Sequence, residues 1–276
     1  MCGTCGCADP ANEVSMTDTA TGQKVILNGG HGHSHDHGHS HEHHHPGHDE
    51  PHTHGPQGEV IPLEIAVLDK NDRFAAENRG WFEGRGVVAL NLVSSPGSGK
   101  TTLLEATIRA LAGEIPISVI EGDQMTANDA ERIKQAGARA IQINTGAGCH
   151  LEADMVARAA RTLDPAHGSL LMIENVGNLV CPAMFDLGER MKVAVISTPE
   201  GEDKPIKYPH MFRAVDLVVI NKIDLAPHVD FDENACRANI ASVNPEAEVL
   251  CLSAKTGAGM DAWCARLRDI VAADRS

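Results

Sequence analysis

Ser94-Ser95-Pro96-Gly97-Ser98-Gly99-Lys100-Thr101-Thr102 is the stretch that decides the fold of this 276-residue chain. It follows a continuous apolar run, Val87–Val93, which is typical of a buried parallel strand, and it leads into the helical sequence LLEATIRALA. A glycine-rich turn between a buried strand and a helix lets backbone N–H groups surround phosphate oxygens, and the N-terminus of the helix adds a favourable dipole. The stretch therefore predicts a phosphate-binding loop.

The residues assigned to this loop are Gly97, Ser98, Gly99, Lys100, Thr101 and Thr102. In such a loop Lys100 reaches the β- and γ-phosphates, and the hydroxyl of Thr101 coordinates Mg²⁺. One position departs from the usual pattern, because Ser94 stands where a glycine normally opens it. The alternative is a glycine-rich turn that contains a lysine by chance.

A second motif, Asn221-Lys222-Ile223-Asp224, predicts which base is bound. It follows the apolar run 217–220, and the Asp224 carboxylate can accept hydrogen bonds from N1–H and the exocyclic amine of guanine. Adenine offers neither donor there, so the carboxylate would lose its partners. Ser253-Ala254-Lys255 follows the next predicted strand and is expected to complete a guanine site. Alone, the tetrapeptide could be the turn that starts a helix; together with the phosphate loop it predicts GTP binding.

Two carboxylates are predicted to complete the phosphate end of the site. Asp123 and Glu174 each close a predicted strand, and the carboxyl ends of parallel strands meet at one edge of a sheet. Either carboxylate could hold Mg²⁺ or orient the attacking water, so Lys100, Asp123 and Glu174 are the candidate catalytic residues of a GTPase. The alternative is that each carboxylate only caps a helix.

Apolar runs alternate with amphipathic stretches from residue 61 onward, which predicts an α/β fold with a mainly parallel sheet flanked by helices. Strands are expected near 87–93, 117–121, 140–144, 170–174, 193–197, 217–221 and 249–252. Helices are expected near 63–83, 102–112, 128–135, 151–162, 233–243 and 260–273. Residues 1–60 are expected to be a disordered tail and residues 61–276 the GTPase domain, because the tail has almost no apolar surface to bury.

The composition excludes several classes of partner. The formal net charge is −15, from 38 acidic and 23 basic residues, which argues against nucleic acid or an anionic membrane as a partner. No window of about eighteen apolar residues predicts a membrane span. The N-terminus lacks a basic and apolar signal segment, so we expect a cytoplasmic protein with reduced cysteines.

Two segments of the tail carry metal-ligating side chains. Cys2, Cys5 and Cys7 place three thiols within six residues, and thiolates suit soft or borderline ions such as Ni²⁺ and Zn²⁺. The tract His31–His54 contains twelve of the sixteen histidines, and imidazole binds the same ions. We expect the tract to hold several exchangeable ions. An engineered purification tag is the alternative, although the internal position and irregular spacing argue against it.

A third set of ligands lies within the predicted domain. Cys149 and His150 follow one strand, and Cys181 follows the strand that ends at Glu174. Both loops are expected at the nucleotide edge, where the three side chains would form an open metal site. The alternative for the two cysteines is that they are small core residues. Cys236, Cys251 and Cys264 fall in helix or strand patterns and are interpreted as structural.

The motifs together resemble the HypB family of GTPases, which take part in nickel insertion during [NiFe]-hydrogenase maturation. They include the cysteine motif and the histidine tract, then SSPGSGKTT, EGDQMTAND, NTGAGCHLE, IENVGNLVCP, EGEDKPIKYPHMF and NKIDL, in that order. The resemblance implies a SIMIBI-type G domain that forms a homodimer with GTP bound. It implies a tight nickel site at Cys2, Cys5 and Cys7, and a nickel or zinc site at Cys149, His150 and Cys181. It also implies two partners, the zinc protein HypA and the hydrogenase large-subunit precursor.

Nucleotide-controlled nickel delivery to the hydrogenase precursor is therefore the leading hypothesis, with GTP, Mg²⁺, Ni²⁺ and Zn²⁺ as the expected ligands. Delivery to another nickel enzyme such as urease is a near alternative. A different class of function is nickel storage, in which the histidine tract would be the functional part and the GTPase its regulator.

Overall fold

The computed structural model describes residues 13–27, 52–54, 60–123 and 128–274. The strands are β1 (Ser15–Asp18), β2 (Lys24–Ile26), β3 (His52–His54), β4 (Val60–Pro62), β5 (Val88–Ser94), β6 (Ile117–Asp123), β7 (Arg139–Asn144), β8 (Leu170–Glu174), β9 (Met191–Ser197), β10 (Leu217–Asn221) and β11 (Glu248–Cys251). The helices are α1 (Leu63–Gly84), α2 (Lys100–Ala110), α3 (Asn128–Ala136), α4 (Ala153–Leu163), α5 (Cys181–Met184), α6 (Lys204–Lys207), α7 (Pro209–Arg213), α8 (Glu233–Val243) and α9 (Met260–Asp274). The α/β class and the long elements agree with the sequence prediction to within about two residues.

The strands form one large sheet, in which β5, the strand before the glycine-rich loop, lies near the centre. The order across the sheet is β11-β10-β9-β5-β8-β6-β7-β1-β2. All pairs from β11 to β7 are parallel, whereas β1 pairs antiparallel with both β7 and β2. The carboxyl ends of β5, β6 and β8 therefore share one edge, as predicted. Strands β3 and β4 form a separate antiparallel pair.

Helices cover both faces of the sheet, and alternate residues of β5 contribute to opposite faces, as the pleat requires. Val88, Leu90 and Leu92 join a core cluster that contains apolar side chains of α2, α3 and α9. On the other face, Ala89 belongs to a cluster with α1 and α4, whereas Val93 belongs to a separate cluster with α7 and α8. The second face thus has two apolar clusters.

The longest helix, α1, has 22 residues and lies on this second face, where Phe82 is buried and Trp81 packs against the same cluster. The helix also carries many charged side chains. None of the helices in the described ranges is both long enough and apolar enough to cross a membrane.

The globular part begins earlier than the predicted boundary at residue 61. Strands β1 and β2 extend the large sheet at β7, and Val14 and Met16 are buried in the cluster that α1 and α4 cover. The sequence prediction of a disordered tail over residues 1–60 is therefore wrong for residues 13–27. The cause is that β1 is short and three of its four residues are polar, so its apolar signal is weak until β7 provides a surface to pack against. The helices α5, α6 and α7 were also missed, since each has only four or five residues.

A test of this correction is the substitution Met16→Ala. Met16 is only 5% exposed, so we expect the free energy of unfolding in urea to fall by about 2–3 kcal/mol as a cavity forms. The matched control is Val25→Ala in β2, because Val25 is 42% exposed and should change stability by less than about 0.5 kcal/mol. Equal, negligible effects of both substitutions would contradict the assignment of β1 to the fold.

Candidate nucleotide and metal sites

A cavity of about 520 Å³ opens at the carboxyl ends of β5, β6 and β8. It is lined by residues 96–102, 121–123 and 174–177, together with Arg132 and Lys222. We call it the central cavity. A cavity at the carboxyl ends of parallel strands is the usual position of a ligand in a doubly wound α/β fold. The predicted phosphate loop and both predicted carboxylates, Asp123 and Glu174, all contribute to its wall.

The glycine-rich loop has the backbone that its sequence predicts. Gly97 and Gly99 have φ angles of 76° and 96°, in the left-handed region that glycine tolerates best. The Lys100 ammonium group donates a hydrogen bond to the hydroxyl of Ser94. The serine at the position of the usual first glycine therefore fits the loop, since its hydroxyl accepts a hydrogen bond that orients the lysine side chain. Ser98, Lys100 and Thr101 are all buried.

Asn221 connects three loops at the second end of the site. Its amide nitrogen donates to the Ser98 carbonyl at 3.0 Å, and its amide oxygen accepts from the Ala254 backbone N–H at 3.1 Å. Next to it, the ammonium group of Lys222 donates to the Gly97 carbonyl at 2.6 Å. A Cβ atom on Gly99 would lie 2.5 Å from the Asn221 amide nitrogen, so the contact requires glycine there. The predicted base loop and the phosphate loop are thus one packed unit.

Asp224 offers a free acceptor at this end. Its Oδ1 atom is shielded from solvent and, within the described ranges, makes no hydrogen bond. A shielded carboxylate oxygen without a donor is costly unless a ligand supplies one. The arrangement therefore fits the predicted contact with the N–H groups of guanine. Ser253 is buried and its hydroxyl accepts from the Thr256 N–H, whereas Lys255 is exposed.

Oxygen ligands meet at the phosphate end of the central cavity. The Thr101 hydroxyl donates to Glu174 Oε1 at 2.9 Å, and Asp123 lines the same wall. Thr102 lines it as well, next to Arg132, whose guanidinium group donates to the Thr102 hydroxyl at 3.4 Å. Hydroxyl and carboxylate oxygens are the donors that Mg²⁺ prefers, so the residues present fit this ion.

Cys149, His150 and Cys181, which we call the metal triad, come together although the sequence separates them. One ligand atom from each lies within 4.8 Å of the other two, and the Cys149 sulfur is 3.7 Å from His150 Nδ1. Around a tetrahedral ion with metal–sulfur bonds of about 2.3 Å, two sulfurs lie about 3.8 Å apart. Two sulfurs and one imidazole nitrogen at these distances fit a borderline ion such as Ni²⁺ or Zn²⁺, with one coordination position left open.

His150 is held in an apolar pocket with its Nδ1 atom facing Cys149. The ring is buried and lies 3.9 Å from the ring of Phe185, centroid to centroid. Burial lowers the pKa of His150 to about 4, so its imidazole is neutral at physiological pH and able to bind a metal. The opposite nitrogen, Nε2, lies 3.9 Å from a carboxylate oxygen of Glu152. Metal-binding histidines commonly have a carboxylate on that side.

The remaining cysteines of the domain differ from the triad. Cys236 and Cys264 are buried in the core clusters, and Cys251 accepts a hydrogen bond from Arg237 at 3.0 Å. Burial raises the pKa of Cys236 to about 12 and that of Cys251 to about 11, which disfavours their thiolates as ligands. Cys2, Cys5 and Cys7 lie outside the described residues, as does most of the tract His31–His54.

Two basic residues of this region were not predicted from the sequence. Arg132 of α3 lines the central cavity, and Lys204 of α6 donates to the Ser95 hydroxyl of the phosphate loop at 3.2 Å. Lys204 also lies 3.4 Å from the Glu200 carboxylate. Lys204 stands in the motif EGEDKPIKYPHMF, which was the available signal. Arg132 lies in an ordinary amphipathic helix, and its sequence gives no comparable signal.

The fold and the central cavity define a P-loop nucleotide-binding protein. In agreement with this class, residues 88–251 match the family model described as the CobW/HypB/UreG nucleotide-binding domain. The chain is 60% identical over 220 residues to the hydrogenase maturation factor HypB of Rhizobium leguminosarum bv. viciae, which covers 80% of this chain and 73% of that protein. The chain belongs to the HypB family.

Solved structures of the family have the same fold. HypB from Archaeoglobus fulgidus superposes with a TM-score of 0.69 at 41% identity, covering 74% of this chain and 99% of that one. HypB from Helicobacter pylori, solved in complex with nickel, superposes with a TM-score of 0.70 at 37% identity, covering 74% of this chain and 96% of that one. The family resemblance drawn from the motifs is thereby confirmed.

The contact between Gly99 and Asn221 leads to a test by Gly99→Ala. The added Cβ meets Asn221 and is also strained at a positive φ, so we expect the dissociation constant for guanine nucleotide to rise at least about tenfold. Gly113→Ala is the matched control, because Gly113 has a φ of 80° but no atom within 4 Å of the added Cβ. It should lose about 1 kcal/mol of stability and bind nucleotide normally. Nucleotide titration by fluorescence measures both, and equal affinities would contradict the argument.

Proposed function

We propose that this protein is a GTP-hydrolysing nickel metallochaperone, which binds Ni²⁺ and delivers it under nucleotide control to the hydrogenase large-subunit precursor. The observation that carries the proposal is the shared framework of the two sites. The Thr145 N–H, at the start of the loop that bears Cys149 and His150, donates to the Asp123 carbonyl at 2.9 Å. Cys181 follows the cavity-lining segment 174–177 by only four residues. The wall of the central cavity is thus connected to both metal loops, by a hydrogen bond in one case and by a short segment of chain in the other.

The chemistry of hydrolysis follows from the cavity wall. Asp224 selects guanine, while the loop 97–102 and the Lys100 ammonium group bind the phosphates and stabilise charge as the terminal phosphate leaves. Thr101, Asp123 and Glu174 are the residues proposed to hold Mg²⁺, which neutralises phosphate charge when bound. Glu174 or Asp123 also orients the attacking water. With Arg132 already paired with Glu105 at 2.6 Å, the cavity supplies few groups for the transition state, so we expect slow intrinsic hydrolysis.

The metal chemistry follows from the ligand set of the triad. Cys149, His150 and Cys181 supply two thiolates and one neutral imidazole, which suit Ni²⁺ or Zn²⁺. Three ligands leave an open position, through which an acceptor protein can attack the ion without first displacing the whole site. A site for cargo must bind the ion tightly enough to carry it and still release it to an acceptor, and three ligands with one open position meet both requirements.

Control by nucleotide requires that the two ligands bias each other. If GTP changes the affinity of the triad for nickel, nickel must change the affinity for GTP by the same factor. Loss of the terminal phosphate would relax the segment 174–177 at the cavity wall and, with it, the approach to Cys181. In this proposal hydrolysis favours the handover of nickel.

The N-terminal cysteines are proposed to act beside this site. Strand β1 places Ser15 opposite Asn144, the last residue of β7 before the loop that bears Cys149. Cys7 precedes Ser15 by eight residues, a span of at most about 28 Å. A nickel site at Cys2, Cys5 and Cys7 would therefore be tethered to the sheet edge next to the triad.

The partners of this protein are proposed from its membership of the HypB family. They are a HypA-type zinc protein, the hydrogenase large-subunit precursor and a second copy of this chain, with GTP favouring the homodimer. We propose that the delivery takes place in the cytoplasm, where thiol ligands stay reduced.

Guanine recognition by Asp224 is tested with Asp224→Asn. An amide at this position can donate to the C2 carbonyl of xanthine but no longer accepts two N–H groups from guanine. We expect the affinity for GTP to fall at least about tenfold and the affinity for XTP to exceed it. Asp230→Asn, an exposed substitution nearby, is the matched control and should leave GTP preferred. A variant that still prefers GTP would contradict the assignment.

Nucleotide-controlled nickel release is tested by adding a competing chelator to the nickel-loaded protein with GDP or a non-hydrolysable GTP analogue. We expect release rates that differ at least about threefold between the two nucleotides, because the metal loops contact the cavity wall. Cys149→Ala and Cys181→Ala should abolish the difference. Cys251→Ala is the matched control, since its thiol contacts Arg237 outside the triad, and it should preserve the difference.

The release assay, together with a deletion of the histidine tract, separates nickel delivery from nickel storage. Release that ignores the nucleotide in the wild-type protein would contradict nucleotide-controlled delivery. Deletion of residues 31–54 should lower the number of bound nickel ions but keep the nucleotide-dependent difference. A protein that loses its nickel-dependent role in the cell through this deletion alone would be a storage protein.

A further inference from the structure

A group of buried polar side chains lies beside the metal triad, on the sheet face that carries two apolar clusters. It comprises Asn91, Asn175, Glu189 and Lys192, each less than 9% exposed. Asn91 lies on β5 between Ala89 of one cluster and Val93 of the other. The group, which we call the polar seam, therefore fills the boundary between the clusters. Its members make defined hydrogen bonds that lead from the central cavity to both metal loops.

Asn175 is the end of the polar seam at the central cavity. It follows Glu174, whose carboxylate accepts from Thr101 of the phosphate loop, and it precedes the cavity-lining Val176 and Gly177. A Cβ atom on Gly177 would lie 3.2 Å from backbone atoms of Pro96, so the two segments are in close contact. A displacement of the phosphate loop must therefore also displace the segment that contains Asn175.

The first branch of the polar seam reaches His150. The Asn175 side-chain oxygen accepts from the backbone N–H groups of Val176 at 3.0 Å and of Leu151 at 3.1 Å. Leu151 directly follows His150 in the sequence. Its side chain also packs against Gly122 of the cavity wall, where a Cβ atom would lie only 2.8 Å from Leu151 Cγ. Leu151 thus contacts two separate parts of the cavity wall and has little freedom to move alone.

The second branch reaches Cys181 through three side chains. Asn175 donates to the Asn91 oxygen at 3.2 Å, and Asn91 donates to Glu189 Oε1 at 3.0 Å. The same oxygen lies 3.6 Å from the Lys192 ammonium group.

Lys192 completes the branch at α5. Its ammonium group donates to the carbonyls of Pro182 and Phe185, both at 3.1 Å. Pro182 follows Cys181, and the Phe185 ring stacks on His150. The second branch therefore ends within the short helix that bears Cys181 and at the residue directly after it.

We infer that Asn175 is a positioning residue that couples the central cavity to the metal triad, through Leu151 to His150 and through Asn91, Glu189 and Lys192 to Cys181. The inference rests on the proposed nucleotide control of nickel binding and names the side chain that transmits it. Buried hydrogen-bonded side chains in a closely packed interior have few alternative arrangements, so a displacement at one end changes the other. A purely structural role for Asn175 would affect stability but not the dependence of nickel affinity on nucleotide.

The test measures the dissociation constant of Ni²⁺ with saturating GDP and with a saturating GTP analogue, and compares the ratio of the two among variants. All variants are full-length chains in which Cys2, Cys5 and Cys7 are serine, so that thiolate-to-nickel absorption reports the triad. In this parent chain we expect a ratio of about ten, within the usual range for allosteric coupling. In Asn175→Ala the ratio should fall below about two, because both branches lose their origin.

Two further variants separate coupling from general loosening. Asn91→Ala cuts only the second branch and should give an intermediate ratio, and it serves as the test if Asn175→Ala does not fold. Asn78→Ala is the matched control, since Asn78 is equally buried and donates to the carbonyls of Ala153 and Leu187, neither of which lines the central cavity. It should lose stability but keep the parent ratio.

Each other outcome overturns the inference. Asn175→Ala and Asn91→Ala with the parent ratio would show that coupling takes another route, while the proposed function would stand. A fall of the ratio in Asn78→Ala as large as in Asn175→Ala would show that any loss of stability in this region removes the coupling, without a specific role for Asn175. A parent chain with a ratio of one would overturn the proposed nucleotide control itself, and this inference with it.

Discussion

The parallel pairing of β5 with β8 is the constraint on which the rest of the site depends. Leu92 pairs with Glu174, so the strand that ends in the carboxylate stops two residues before the end of the strand that enters the phosphate loop. The Thr101 hydroxyl can then reach Glu174 directly. Because β6 pairs with β8 on the other side, Asp123 joins the same edge. A change of register by one residue would turn these side chains to the opposite face of the sheet.

The polar seam shows how the protein accommodates charged and amide side chains inside an apolar layer. Burial raises the pKa of Glu189, while Lys192 and the hydrogen bond from Asn91 oppose that effect. A buried ion pair of this kind adds little net stability compared with apolar packing, and buried polar groups are tolerated only when they are hydrogen-bonded. What the pair provides is orientation, since Lys192 donates to the carbonyl of Pro182 within α5 and to that of Phe185 directly after it. The two asparagines have the same effect on the other loop through Leu151.

The agreement between sequence and structure depends on how local each signal is. The loop at 94–102 and the motif at 221–224 were assigned from contiguous residues, because phosphate and guanine binding each need a fixed local backbone. The long helices and central strands were predicted for the same reason, since their apolar periodicity is strong. Strand β1 was missed because it contains a single apolar residue, Met16, which is buried only through contact with β7 and α4. Arg132 was missed because only the packing of α3 beside α2 turns it towards the cavity.

The sequence by itself determined the class of fold, the family and the types of ligand atom at each site, since these follow from residue identity and short spacing. The sequence predicted that Cys149, His150 and Cys181 share one site, but only the tertiary structure decided how close their ligand atoms lie, because more than thirty residues separate the first ligand from the last and no local rule sets their distance. The structure also decided the hydrogen-bond partners of Asn91 and Asn175, which the sequence does not indicate although Asn175 lies in the motif IENVGNLVCP. Hydrogen-bond partners 84 positions apart are chosen by the order of the strands, and that order is a property of the folded sheet.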